Sequence, residues 1–382
     1  MAVYVDNSIE HINFIMQQKT KKLKTKIQYM DYADRVLGEV NGFCTGGGID
    51  ISNSDMVRRT LKMDFVADSK LEIGQNSPFW INKRLKVFTG IEDYNKNIYW
   101  FNQGVFVPTQ PETSVSLSGR TISLSASDKM VLAENPVLMT TKFLVDTPIH
   151  EAIMNLARLY GETKFMMAVQ DLILPSDYEM SAGDDIQTAI KEITNLYMNY
   201  ETFYNLNGVL VYDKMKNRYD DNVVWDFSGN TDFTISRNIS ADYMQVFNDF
   251  VVYGHFLEEG DDAGIQVKHR ITIEGEQYAS HPFSKENIGR LHSMVIEEDK
   301  YTNNEQCRAR AEYEKQQAEN LINNFSITTV PIYSLNDVNR VVNVSDNGKS
   351  YKCLVDSISY PLDVSSPMTI ACHEIFSTEK VN

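Results

Sequence analysis

One stretch of the chain cannot be reconciled with a helix. From Arg59 to Val66 the residues alternate strictly, with Leu61, Met63 and Phe65 on one parity and Thr60, Lys62 and Asp64 on the other. A period of two places the apolar set on one face of a strand and the polar set in water. Leu85–Ile91, Ile98–Val107 and Arg120–Ala126 read the same way, and Lys21–Met30 is a basic version of the pattern. Turn signals separate them: Gly46-Gly47-Gly48, Asn76-Ser77-Pro78, Glu92 to Asn97, and Pro108 with Pro111. Short strands at this spacing predict an antiparallel barrel or sandwich.

The pattern then changes. Thr147-Pro148 reads as a helix start with a capping hydroxyl, followed by Ile149, Ile153, Leu156, Ala157 and Tyr160 at helical spacing and a stop at Gly161. Phe165–Val169 reads as a strand. A second helix begins near Asp185, with Ile186, Ala189, Ile190, Ile193, Leu196, Tyr197 and Tyr200 on one side. Gly208–Asp213 reads as a buried strand. Beyond it come strands at Val246–Gly254 and Ile265–Ile273, then a polar helix over about 303–323. Four closing strands follow, Phe325–Ile332, Val338–Val344, Tyr351–Ser359 and Met368–Ile375. The expected organisation is a β domain over 1–135, an α/β module with two amphipathic helices over 136–243, and a second β domain over 244–382. The fold class is mixed α+β and β-dominated. No repeat is apparent at the sequence level.

With 382 residues and 42% hydrophobic content the chain is long enough for two or three domains with cores of their own. Its four cysteines, Cys44, Cys307, Cys353 and Cys372, follow no zinc spacing and read as reduced thiols. The N-terminus lacks a secretion-signal pattern, and no stretch reaches the roughly 20 apolar residues of a membrane helix, so no membrane insertion is expected. The 52 acidic against 36 basic residues give a net charge of −16, which repels nucleic-acid phosphates and argues against gene regulation.

Candidate chemistry falls away residue by residue. His150-Glu151 lacks the second histidine of a zincin, and His255, His269, His281 and His292 are scattered. Gly46-Gly47-Gly48 does not lead into a Gly-Lys-Ser/Thr helix start and reads as a loop between strands. Glu258, Glu259, Asp261 and Asp262 form an acidic cluster without the ligand spacing of a calcium loop; it is expected to line a lumen or to sit in a solvated loop. Trp80, Trp100 and Trp225 are the residues from which a sugar platform would be built, with burial in a core as the alternative. No catalytic residue, metal ligand or cofactor site is predicted.

The order of features in the last third carries a resemblance. A strand Val251-Val252-Tyr253-Gly254 is followed by an acidic loop and a second strand. Ile288-Gly289-Arg290-Leu291 then leads through Asp299 to the Thr302–Asn304 turn, an alanine-spaced helix ending at Leu321, and closing strands. This resembles the second tube-like domain of phage tail hub proteins, the contractile-tail baseplate hubs and the N-terminal region of siphophage tail-associated proteins. The front is similar as well: the basic strand, Gly48-Ile49-Asp50 followed by Arg58-Arg59-Thr60, Trp80 to Arg84 leading to Gly90-Ile91, Phe106, and Ser127-Asp128-Lys129.

The resemblance implies two tube-protein-like antiparallel β-barrel domains around the α/β module, and a homotrimeric ring adapting a six-fold tail tube to a three-fold tip. It implies as partners the tail tube or distal tail protein, the tape-measure protein and a tip spike or receptor-binding protein. DNA would pass through the channel without specific binding, and the chain would reside in the virion. Some relatives continue into a peptidase, lysozyme or receptor-binding region, whose catalytic residues find no counterpart here. The other readings are a carbohydrate-binding or adhesion tail protein, and a tail-associated cell-wall hydrolase.

Overall fold

The computed structural model describes residues 2–4, 22–40, 42–67, 73–93, 95–116, 119–198, 200–214, 218–228, 233–257, 264–318, 323–363 and 366–375. The first block of strands is β1 (Ala2–Tyr4), β2 (Lys22–Met30), β3 (Val36–Glu39), β4 (Gly42–Ser52), β5 (Arg59–Ala67), β6 (Arg84–Glu92), β7 (Ile98–Ser116) and β8 (Gly119–Asp128). The alternation of β5 is realised. Leu61, Met63 and Phe65 are buried, Thr60, Lys62 and Asp64 are exposed. Cross-strand register extends each buried position into a row: Ile49–Leu61–Ala126, with Met63 opposite Leu124 and Phe65 opposite Ile122. Rows of this kind are the unit of sheet stabilisation.

The middle holds β9 (Thr141–Phe143), α1 (Ile149–Leu159), β10 (Phe165–Met167), β11 (Tyr178–Met180), α2 (Ile186–Asn195), β12 (Tyr200–Tyr204), β13 (Leu210–Lys214) and β14 (Trp225–Asp226). Isolated helices of this length are marginal in water. Here Ile149, Ile153 and Leu156 of α1 and Ile186, Ile190 and Ile193 of α2 meet in one core, each full burial worth about 1.5–3 kcal/mol. The Thr147 hydroxyl makes no cap bond: α1 begins after Pro148, and its first N–H, Ile149, donates to Leu172 O at 2.9 Å. On α2, Asp185 accepts from Thr188 N at 2.7 Å. Gly161 stops α1 at φ +91°, as read from the sequence.

These elements contain a repeat. Residue n of the first half corresponds to residue n + 37 of the second, and the backbone bonds come in matching pairs. Ile149 N–H donates to Leu172 O and Ile186 N–H to Asn135 O; Asp146 N–H donates to Leu174 O and Gly183 N–H to Val137 O; Leu174 N–H donates to Thr147 O and Val137 N–H to Asp184 O. The bridges Pro136–Asp185 and Pro148–Ile173 obey the same rule. In the antiparallel pair β9–β11, Lys142 faces Glu179, so a local two-fold axis passes between them. Asp146 and Gly183 are equivalent, and both have positive φ.

The last third is β15 (Thr234–Ala241), β16 (Asp249–Phe256), β17 (Gln266–Thr272), α3 (Lys285–Ile288), β18 (Ser293–Glu297), α4 (Asn304–Ala318), β19 (Asn323–Thr329), β20 (Val341–Asp346), β21 (Lys349–Pro361) and β22 (Met368–Glu374). Residues 244–382, grouped together in the sequence, serve two sheets. β17-β16-β18 form a sheet packed by α4 over Phe250, Val252, Val267, Cys307 and Ala311. Gly254 belongs to this unit because a Cβ there would lie 2.4 Å from Tyr301 O and from Val267. β19 to β22 instead join the first block. The path of the main sheet is β15-β19-β22-β21-β4-β5-β8-β7-β6-β2-β3, with β1 added parallel to β7 and β14 parallel to β20. The seam is β21–β4, where Ile358 pairs with Ile51 and Tyr360 with Ile49, and one core runs through both parts. The fold is β-dominated, with large antiparallel sheets and few helices.

The glycine run lies inside β4, which corrects its reading as a loop. The register with β5 shifts between Cys44 and Gly46, marking a bulge. Gly47 sits at φ +111°, and a Cβ there would lie 2.1 Å from Lys62 O, whereas at Gly46 it would meet nothing within 4 Å. Only glycine fits position 47. Gly47→Ala is expected to cost about 2–4 kcal/mol in equilibrium denaturation, and Gly46→Ala to leave stability nearly unchanged.

Candidate functional site

Arg59 has the same parity as Leu61, Met63 and Phe65, so the strand geometry that buries them buries a guanidinium as well; it is 1% exposed. A charge so placed needs partners. Nη1 donates to Tyr204 O in β12 at 2.7 Å, and Nη2 donates to Asp337 Oδ1 in the segment before β20. The Arg59 backbone N–H donates to Asp128 Oδ2 at 3.0 Å, and Asp128 Oδ1 accepts from Met130 N at 2.9 Å. Burial pushes the Asp128 carboxyl up to about 6, against the opposing effect of those two amides and the arginines.

Arg58, of opposite parity, reaches the neighbouring element. Its Nη2 donates to Glu201 Oε2 at 2.5 Å, and its guanidinium lies 3.8 Å from the Phe203 ring centroid. Asn339 donates to the same Glu201 oxygen at 2.9 Å, and Asn53 donates to Asn339 at 3.1 Å and to Asp356 at 3.2 Å. The network thus spans β5, the α/β module and the C-terminal strands.

A second cluster ties the first block to the module. Lys129 Nζ lies 2.6 Å from Glu162 and 3.2 Å from Asp34, and donates to Gly208 O at 3.0 Å. Tyr204 donates to Glu162 at 2.8 Å; the Tyr160 hydroxyl, 3.0 Å from that of Tyr204, supplies the next proton in the chain. Burial, then the neighbouring Tyr160 and Glu162, hold the Tyr204 hydroxyl proton far above its ordinary range. A third contact joins β7 to the last strands: Gln103 donates to Thr89 Oγ1 at 2.6 Å and to Tyr333 O at 3.2 Å, and accepts from the Tyr360 hydroxyl.

Most polar atoms of these clusters are paired with one another, although Arg59 Nε and Asp34 Oδ1 are buried without a partner. Lys129 and the guanidinium nitrogens Nη1 and Nη2 of Arg59 are spent on partners within the fold, and no serine, cysteine or histidine stands among them as a nucleophile–base pair. A groove of about 620 Å³ on the solvent face of β5, β7 and β8 is lined by Lys62, Asp64, Gln110, Glu112 and Ser123, with Ser123 donating to Asp64. No histidine or cysteine lines it, whereas the Asn53 end of the first network does carry a histidine, His373, whose Nδ1 lies 2.8 Å from Asp356.

The residues singled out in the sequence scatter. Glu258, Glu259, Asp261 and Asp262 lie outside the described residues. His150 and Glu151 occupy the first turn of α1, and among the described residues no group of three or more His, Cys, Asp or Glu is placed to hold a metal. Nδ1 of His281 accepts from Phe283 N, while Nδ1 of His292 lies 2.9 Å from Val246 O, separate local bonds. Trp100 and Trp225 are buried, so they form no exposed platform with Trp80, which is 37% exposed. All four cysteines are free, and three are buried. No helix among the described residues is long and apolar enough to cross a membrane. Sequence reading missed the arginine network, although the parity of Arg59 was the signal that pointed to it.

No protein-family model matches the sequence, and no curated protein matches it significantly. Solved structures do match over nearly the whole chain. It is similar to the 43 kDa tail protein of prophage MuSo2 from Shewanella oneidensis, with TM-score 0.60, 14% identity, and coverage of 92% of this chain and 98% of that one. It is similar to prophage tail protein gp18 from Listeria monocytogenes, with TM-score 0.55, 10% identity and coverage of 91% and 94%. It is also similar to the E. coli c3393 protein, a component of the type VI secretion system with structural similarity to the T4 tail proteins gp27 and gp5, with TM-score 0.53, 10% identity and coverage of 94% and 77%. The fold is therefore the one shared by prophage tail proteins and baseplate hub-like proteins.

Arg59→Leu strands the Asp337 carboxylate and the Tyr204 carbonyl, and is expected to cost about 3–5 kcal/mol in chemical denaturation. Arg35→Ala removes a guanidinium–carboxylate pair of 2.8 Å whose arginine is 76% exposed, and should give no resolvable loss.

Proposed function

We propose that this chain is the structural hub subunit of a phage tail or phage-like particle. In this reading three copies form a ring whose six β-rich units match a six-fold tube on one side and a three-fold tip on the other. The observation that carries it is the end-to-end likeness to tail proteins: 92% of this chain against 98% of a prophage tail protein leaves almost no part of either fold unaccounted for.

The proposed partners are the tail tube or distal tail protein, the tape-measure protein and a tip spike or receptor-binding protein, with the chain located in the virion tail. The ring would line the channel for DNA. The excess of 52 acidic over 36 basic residues suits a wall that must not hold its cargo.

The test is the mass and symmetry of the purified protein. Native mass spectrometry should find three times the 43.7 kDa chain mass, and electron-microscopy class averages should show a three-fold ring with a central pore. A monomer at all concentrations, or a closed particle without a pore, overturns the proposal.

A further inference from the structure

The 37-residue repeat offers an internal control for what the module needs in order to fold. Leu138 and Met139 precede β9, and Leu144 and Val145 follow it; they are 91%, 72%, 61% and 48% exposed. Their equivalents in the second copy are Pro175, Ser176, Ser181 and Ala182. Both copies make the same backbone bonds around these positions, Asp146 N–H to Leu174 O at 3.0 Å in one and Gly183 N–H to Val137 O at 2.9 Å in the other. The backbone is therefore built equally well without large apolar side chains, and the four exposed ones are not there for the fold. Summed over the two pairs, on the order of 400 Å² of apolar surface is exposed at the two ends of β9, comparable to the exposed patches that mark interaction sites.

The surroundings define the occupant. Asp177 accepts from Val145 N at 2.8 Å, Glu179 faces Lys142 across the β9–β11 pair, and Asp146 adjoins Val145. Of the cations nearby, Lys142 is held by Asp177 at 2.7 Å, and Lys300 lies 5.2 Å from the ring centroid of Tyr178 in β11. The patch is thus apolar with an acidic rim. β9 pairs only with β11 among the described residues, which leaves its other edge open between the two apolar pairs.

We propose that this edge is a docking site for an extended segment of another protein that alternates apolar and basic residues, laid along β9 so that its apolar side chains cover Leu138, Met139, Leu144 and Val145 while its lysines or arginines meet the acidic rim. A two-fold contact with a second copy is disfavoured, because it would set the acidic rim against itself. The inference rests on the tail-hub reading only in taking that protein to be a neighbour in the same particle.

The probe is a peptide alternating leucine and lysine, with a leucine–glutamate peptide as control, titrated by calorimetry against the full chain. The leucine–lysine peptide is expected to bind, more weakly as salt is added. L144S/V145A, which installs the residues of the second copy, should weaken it about tenfold or more with an unchanged melting temperature. D146N/E179Q, which removes rim charge and keeps the apolar residues, should weaken it too. Equal binding by the wild type and both variants, binding of neither peptide, or preference for the leucine–glutamate peptide overturns the proposal. A fall in oligomer mass of L144S/V145A with unchanged peptide binding assigns the face to a second copy, and overturns it as well. Masses recorded on the same samples keep the two readings apart: a monomer that discriminates the peptides removes the hub, and a trimer that does not removes the docking site.

Discussion

The placement of the parts depends on a guanidinium that the strand pattern forces into the interior. Arg59 is connected to Tyr204, 145 residues away, and to Asp337, 278 residues away. A buried ion pair is a poor source of net stability, because desolvating both charges offsets most of their attraction. Its effect is on geometry. An apolar side chain at position 59 tolerates many neighbours, whereas the planar fork of arginine accepts a carbonyl and a carboxylate only in fixed directions. The α/β module and the segment before β20 are therefore set against β5 by direction as well as by volume. Arg58 repeats the arrangement one residue away, through Glu201 and Asn339.

The main sheet makes the same demand in another form. β4 is shared between the first block and the closing strands, pairing with β5 on one side and β21 on the other. A strand buried between two partners cannot slip by one residue without turning Ile49 and Ile51 out of the core. The bulge at Gly47 fixes this register from one side. The close approach of Gly48 to Tyr360, where a Cβ would lie 3.1 Å from the carbonyl oxygen, fixes it from the other. Gly47 and Gly48 are thus a consequence of two neighbouring backbones, which is why the local sequence alone suggests a turn.

What was legible follows from this. Alternation in β5 and the apolar stripes of α1 and α2 are local and appear where the periodicity puts them, except that α2 ends at Asn195 and Tyr200, read as part of its stripe, begins β12. The partner of a strand is not local. Nothing between Tyr351 and Ser359 says that this segment pairs with β4, some 300 residues earlier. The last third therefore reads as one unit, although its strands divide between two sheets. The repeat hid for a related reason. Its inward positions match, Ile149 with Ile186, Ala152 with Ala189, Ile153 with Ile190 and Leu156 with Ile193, but its outward positions do not. Packing constrains only the former. Of the candidate site, the parity of Arg59 was legible, and its partners were not.

The same division between inward and outward positions separates the structural residues of this chain from those free to serve a partner. Inside, two polar groups are consumed by their neighbours: Lys129 by Glu162, Asp34 and Gly208, Gln103 by Thr89, Tyr333 and Tyr360. Groups so saturated hold a shape and have little capacity left for chemistry, since catalysis needs donors and acceptors aimed at something outside the fold. Outside, the two copies of the repeat share a backbone and differ in what they show to solvent. A fold that builds the same turn with Leu144-Val145 and with Ser181-Ala182 has no internal use for the difference, so that difference is where selection by a partner can act.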